Sequence, residues 1–149
     1  MNTLYTKMIE YYSGDPKRIQ HFTKVHSYAR LIGQLEHLSD DTQNILEIAA
    51  LVHDIRIKIS ELKYGNCNGK NQEKEGKAEA EKLLTELGYP QEVIERVSYL
   101  VGHHHSYDQI EGMDYQILVE ADFIVNMYED AESEENCRKV CKRIFKTES

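Results

Sequence analysis

An all-α fold is what this sequence predicts, and three observations predict it. Apolar residues recur at three- and four-residue spacing in several stretches, the period of a helix turned into a core, and no stretch reads as a convincing strand. Helix-opening residues stand where those stretches begin: Asp15-Pro16, Ser39-Asp40-Asp41, Pro90 and Ser133. Gly14, Gly88 and Gly112 stand where they end or break. At 149 residues the chain fits one domain, 1–149, of about seven helices, large enough to bury a core without staples.

The elements follow in order. Leu4 to Tyr12 reads as a short opening helix closed by Ser13-Gly14-Asp15. Asp15 is an N-cap and Pro16 takes the first helical position, where its missing N–H costs nothing. The second helix runs to about His37 on the stripe Ile19, Phe22, Val25, Ala29 and Ile32, with His26 along one edge. Ser39-Asp40-Asp41 caps a third helix whose stripe, Ile45, Ile48, Ala49 and Val52, ends at His53-Asp54. Ser60 to Asn71 holds Gly65, Asn66, Asn68 and Gly69 and reads as a polar loop of functional length. Glu73 to Leu87 is helical with Ala78, Leu83, Leu84 and Leu87 inward, and Gly88 is its C-cap. Pro90 starts the next helix, whose stripe Val93, Val97, Leu100 and Val101 leads into His103-His104-His105. A strongly apolar helix from Tyr115 to about Tyr128 contains Asp122, and Ser133 opens a charged terminal helix ending near Phe145.

Composition narrows the function classes. With 26 acidic and 18 basic residues the formal charge is −8, against a general nucleic-acid-backbone binder, whose footprint would be basic. A small phosphorylated ligand stays compatible, because a divalent cation can supply positive field locally. Cys67, Cys137 and Cys141 are an odd set without CxxC spacing and read as free thiols of a reducing cytoplasm; Cys137 and Cys141 stand one turn apart and are expected to pack inward. No signal-peptide pattern opens the chain, and no run approaches the roughly 18 apolar residues of a membrane span. A cytoplasmic location follows as the expectation.

The chemistry is carried by polar residues set on apolar stripes: His26, His53, Asp54 and Asp122, the last among Leu118, Ala121 and Val125. A lone histidine on such a face is most often a satisfied core residue. A buried aspartate is harder to dismiss, since an unpaired carboxylate costs several kcal/mol or must stay protonated. One divalent cation would explain all four positions together, as a mixed N/O site suited to Mn²⁺, Fe²⁺, Zn²⁺ or Mg²⁺. His21 and His37 fall out of phase with the stripe and are expected at the surface.

The ordered pattern of His26, His53-Asp54 at the end of an apolar helix, and then Asp122 resembles the HD-domain superfamily of metal-dependent phosphohydrolases, from about Ile19 to Val125. The resemblance implies an HD helical bundle, with His26, His53, Asp54 and Asp122 as ligands of Mn, Fe, Mg, Ni or Zn. It implies hydrolysis of a phosphate ester or anhydride, a nucleotide being the commonest substrate by analogy. The stretches Leu100 to His105 and Glu120 to Asn126 look like those of small bacterial HD proteins. In two-metal relatives a histidine pair at the end of this helix binds a second ion with a histidine from the preceding helix. Here that helix begins Gln72-Glu73-Lys74-Glu75-Gly76, so Glu73 or Glu75 would have to substitute, and the second ion stays open.

Two departures stand out. Arg56 replaces the glycine of a His-Asp-Ile-Gly pattern, and Ile57 stands where nucleotidase-type members place an acid. Asp54 is expected to orient a nucleophile or bridge ions, with Arg56, Lys58, His103 and His104 stabilising phosphoryl charge. Lys63 is a further candidate anchor, and the acid run Glu129 to Glu135 reads as a solvated loop and helix start. The competing expectation is a metal-binding HD module without turnover, a sensor or scaffold. Expected partners are a small phosphorylated molecule, no nucleic-acid polymer and no membrane, with oligomeric state open.

Overall fold

The computed structural model describes residues 1–55 and 69–149, with side chains described from residue 75 in the second stretch. Among the described residues there are seven helices and no strand: α1 Asn2–Tyr11, α2 Pro16–Leu35, α3 Asp40–Val52, α4 Gly69–Glu86, α5 Gln91–His103, α6 Met113–Glu129 and α7 Glu134–Ile144. None is long and apolar enough to cross a membrane.

The expected caps are in place. Asp15 accepts from Arg18 N at 3.3 Å with Pro16 behind it, Ser39 accepts from Thr42 N at 3.3 Å, and Ser133 from Asn136 N at 3.2 Å. Each satisfies a donor the helix itself leaves orphaned. Gly88 closes α4 at φ +80°, with Tyr89 N reaching back to Leu84 O, a turn that a side chain at Gly88 would strain. Helix α4 begins at Gly69, so the end of the expected loop is helical, and among its described side chains Ala80 and Leu84 are the buried hydrophobic ones while Ala78 is exposed.

Helix α3 is the hub. It packs against α1, α2, α5 and α6, and Leu46, Ile48, Ala49, Ala50, Leu51 and Val52 have no exposed surface. A helix touched on all sides needs apolar residues all round, which is why its buried set is wider than the single stripe read from spacing. Each large aliphatic there contributes about 1.5–3 kcal/mol by burial. Helix α2 lies in the crevice between α3 and α6, so both edges of its stripe are buried. That position decides which of its histidines does what.

The turn between α5 and α6 is locked from both ends. Arg96 grips Asp114 with Nε and Nη2 at 2.9 and 2.7 Å and also bonds Glu111. Gly112 enters α6 at φ +85°, and a Cβ there would come within 2.9 Å of Arg96 Nη2 and Asp114 Oδ1. Cys137 is half-buried and Cys141 exposed, against the expected inward packing, because α7 turns Val140 and Ile144 to the body instead.

Candidate metal centre

Four polar side chains from three helices meet at the C-terminal end of α3. His21 comes from α2, His53 and Asp54 from the turn closing α3, and Asp122 from the middle of α6. His21 Nε2 lies 3.0 Å from Asp54 Oδ2 and 3.2 Å from Asp122 Oδ1. His53 Nε2 lies 3.2 and 3.3 Å from the same two oxygens, and the two Nε2 atoms are 3.2 Å apart. His21 is 2% exposed, His53 1%, Asp122 6% and Asp54 9%. The buried Tyr12 hydroxyl donates to the Asp54 carbonyl at 2.5 Å and so fixes the dyad's backbone.

The outer nitrogens settle the tautomers. His53 Nδ1 lies 2.8 Å from the Ala50 carbonyl, which can only accept, so Nδ1 carries the proton. His21 Nδ1 is likewise held 3.0 Å from the Glu129 carboxylate. Both Nε2 atoms therefore point into a space already faced by two carboxylates, where each carries either a proton or, in the neutral ring, a lone pair free for a cation. Burial disfavours charge on His21, but the Asp122 and Asp54 carboxylates outweigh it and raise its pKa to about 9; His53 moves the same way under Asp54 and Asp122. Burial likewise opposes charge on both carboxylates, yet their histidine neighbours hold them below the ordinary range. Four donor atoms this close need a positive charge among them, either a proton or a cation.

A second group shares Asp54. His104, 1% exposed, points Nε2 to within 3.6 Å of Asp54 Oδ1 while its Nδ1 is fixed 2.8 Å from Val101 O. His105 joins Asp54 and His104 in a possible cation set, its ring centroid 4.0 Å from that of His104. Burial, with help from His104, lowers the His105 pKa to about 4, so this imidazole is neutral at physiological pH. The Tyr115 hydroxyl sits 2.5 Å from the carbonyls of both His103 and Ser106 and clasps the turn that carries the pair.

Among the sequence-expected ligands the structure brings His53, Asp54 and Asp122 together, but not His26. His26 Nε2 is 3.0 Å from Glu47 Oε1 and its Nδ1 3.3 Å from Tyr5 OH, with Glu47 also held by Gln43. The expected surface residue, His21, takes the place instead. It precedes Val25, Ala29 and Ile32 by four, eight and eleven residues, a helical spacing that places it on the buried side facing α6. His103 also departs from expectation: its Nδ1 bonds Tyr99 O at 2.7 Å and its ring stacks on Tyr99, away from the cluster. Helix α5 ends at His103, so helical phase does not govern His104 and His105. Glu129, expected as solvated, is the partner of His21; it stands seven residues after Asp122, on the same face of α6. Arg56, Lys58, Lys63 and the side chain of Glu73 lie outside the described residues, and Glu75 is not part of the second group.

The donors suit a divalent cation. Asp122 Oδ1 and His104 Nε2 are buried with no aligned hydrogen-bond partner among the described residues, the condition of an atom kept for a ligand. Neutral imidazoles oriented by outer partners and paired with carboxylates are the donors that such ions take.

No curated protein matches this chain significantly. A crystal structure of a predicted HD superfamily hydrolase from an uncultured Thermotogales bacterium is similar in fold: TM-score 0.71 at 24% identity, covering 99% of this chain and 79% of that one. The HD domain family profile matches residues 18–146, a span that holds all six clustered side chains. The chain therefore belongs to the HD domain family.

Proposed function

We propose that this protein is a metal-dependent phosphohydrolase acting on a phosphate ester or anhydride of a small molecule, a nucleotide being the substrate that family analogy favours. The observation that carries the reading is the convergence of buried, oriented donors: His21, His53, Asp54 and Asp122 in one group, Asp54, His104 and His105 in a second. These residues would hold a divalent cation, which would supply Lewis acidity to a phosphoryl oxygen and lower the pKa of a bound water.

The residues divide the work. His21 and His53, fixed through Nδ1, would present Nε2 to the cation. Asp54 faces the first group with Oδ2 and His104 with Oδ1, so it suits a bridging or water-orienting role. His105, half-buried where the others are buried, is the member at which substrate meets the cluster.

A screen of p-nitrophenyl phosphates and a nucleotide panel with Mn²⁺, Mg²⁺, Co²⁺, Ni²⁺ and Zn²⁺ tests the reading. Turnover that needs metal and disappears in Asp122→Asn, with the helical circular dichroism kept, is the expected result. Metal binding without turnover of any substrate would replace the hydrolase reading with that of a sensor or scaffold.

A further inference from the structure

Beside the cluster lies a cavity of about 580 Å³, lined by His105, Ser106, Tyr107 and Asp108 from the α5–α6 turn and by Arg143 and Ile144 from the end of α7. It is an open depression on the surface, so a ligand seated there keeps contact with solvent. His105 belongs both to this wall and to the second donor group, so one side chain is common to the cavity and the candidate metal centre.

Arg143 is the cationic group of that wall. On the same helix Arg138 pairs with Glu134 and Lys139 with Glu135, whereas Arg143 forms no ion pair among the described residues. The stretch that carries it is pinned with unusual investment. Glu120, fully buried in α6, accepts from Lys146 N at 3.0 Å, Thr147 N at 3.1 Å and the Thr147 hydroxyl at 2.5 Å. Gln116 Nε2 joins Glu120 at 2.7 Å and donates to the Ile144 carbonyl at 2.9 Å. Two buried polar side chains are thus committed to holding Ile144, Lys146 and Thr147, the residues that follow Arg143. A buried carboxylate is costly unless fully bonded, and here its bonds set where Arg143 stands.

We infer that Arg143 is a substrate-binding residue: its guanidinium holds a phosphate group of the substrate in the cavity beside His105, and the Glu120–Gln116 clasp positions it. A planar guanidinium with free donors matches a phosphate in bidentate fashion. Ser106 and Tyr107 add hydroxyls to the same wall. Asp108 adds a carboxylate that repels a bare anion, which gives the idea a test of sign. The inference deepens the phosphohydrolase reading by naming where the anion sits, and it can fail separately.

Calorimetric titration of the metal-loaded full chain with inorganic phosphate is the experiment. Arg143→Ala is expected to weaken phosphate roughly tenfold or more, and Arg143→Lys by less, since charge stays and the fork is lost. Asp108→Asn is expected to tighten it roughly threefold by removing a like charge. Arg138→Ala, on the same helix but outside this cavity, should leave it unchanged, and melting temperature and metal content should hold in all four. Unchanged affinity in Arg143→Ala, equal weakening in Arg138→Ala, or no phosphate binding by the parent protein would each overturn the inference. Phosphate binding with that pattern but no turnover of any ester would sustain Arg143 and remove the hydrolase reading. Turnover with unaltered KM and kcat in Arg143→Ala would do the reverse.

Discussion

Two buried histidines, five residues apart on α2, make the instructive comparison. His26 is satisfied: each ring nitrogen has a partner, Glu47 on one side and the Tyr5 hydroxyl on the other, and burial lowers its pKa. His21 is over-supplied: one nitrogen is fixed by Glu129, and the other faces two carboxylates and a second imidazole. The first arrangement balances donors with acceptors and needs nothing more. The second has too many acceptors for the protons available, and its deficit is the signature of a cation site. Burial alone does not separate the two residues. The balance of donors and acceptors does.

The strongest way to break the comparison is to remove the carboxylate that both donor groups share. Asp54→Ala should lose bound metal entirely by elemental analysis, and chelation should then no longer lower its melting temperature, since a ligand bound only by the native state is what that shift reports. Full metal retention would end the proposed role of Asp54. Next comes the histidine pair itself. His21→Ala should lose metal, whereas His26→Ala should keep it and cost about 1–3 kcal/mol of stability by leaving Glu47 and Tyr5 short of a buried partner. Equal metal content in the two variants would collapse the distinction.

The outer partners sharpen it further. Glu129→Gln should weaken metal binding about 10–100-fold by loosening the His21 tautomer. Glu47→Gln, the corresponding change beside His26, should leave metal affinity alone.

A pH titration of chelated protein, followed by denaturant unfolding, sets the two histidines in opposite directions. His21, raised to about 9, contributes stability that is complete below the unfolded value of about 6.5 and is lost as pH rises through 9. His26, lowered, contributes in the other sense, with its stability present above about 6.5 and lost as pH falls below it. Parallel pH profiles for His21→Ala and His26→Ala would contradict this. The smallest effect is expected at His103, whose alanine variant should keep metal content and rate where His104→Ala changes one or both.

Much of this was legible in the residues. The helices announced themselves through period and caps, because Asp15, Ser39 and Ser133 act locally and need no tertiary context. His53, Asp54 and Asp122 were legible because a carboxylate on an apolar face demands a partner. His21 is not legible from a single stripe, because α2 packs against two neighbours and its buried arc is wider than a stripe. Glu129 was legible in principle as Asp122 plus two turns, but it opens an acid run that looks solvated. His105 eluded phase arguments because the helix stops two residues before it.

One feature of α3 and α5 reaches beyond side chains. His53 and His104 are the C-caps of these helices, and their rings meet edge to face at 5.3 Å. Two helix C-termini, each carrying the equivalent of about half a negative charge, therefore converge on the cluster. This backbone field attracts a cation and opposes a phosphate, and no side-chain substitution removes it. A phosphorylated substrate of the kind proposed would thus meet an unfavourable backbone field in the metal-free protein and a complementary one with a divalent ion seated. On the proposed function, the expected order of binding is metal first and anion second.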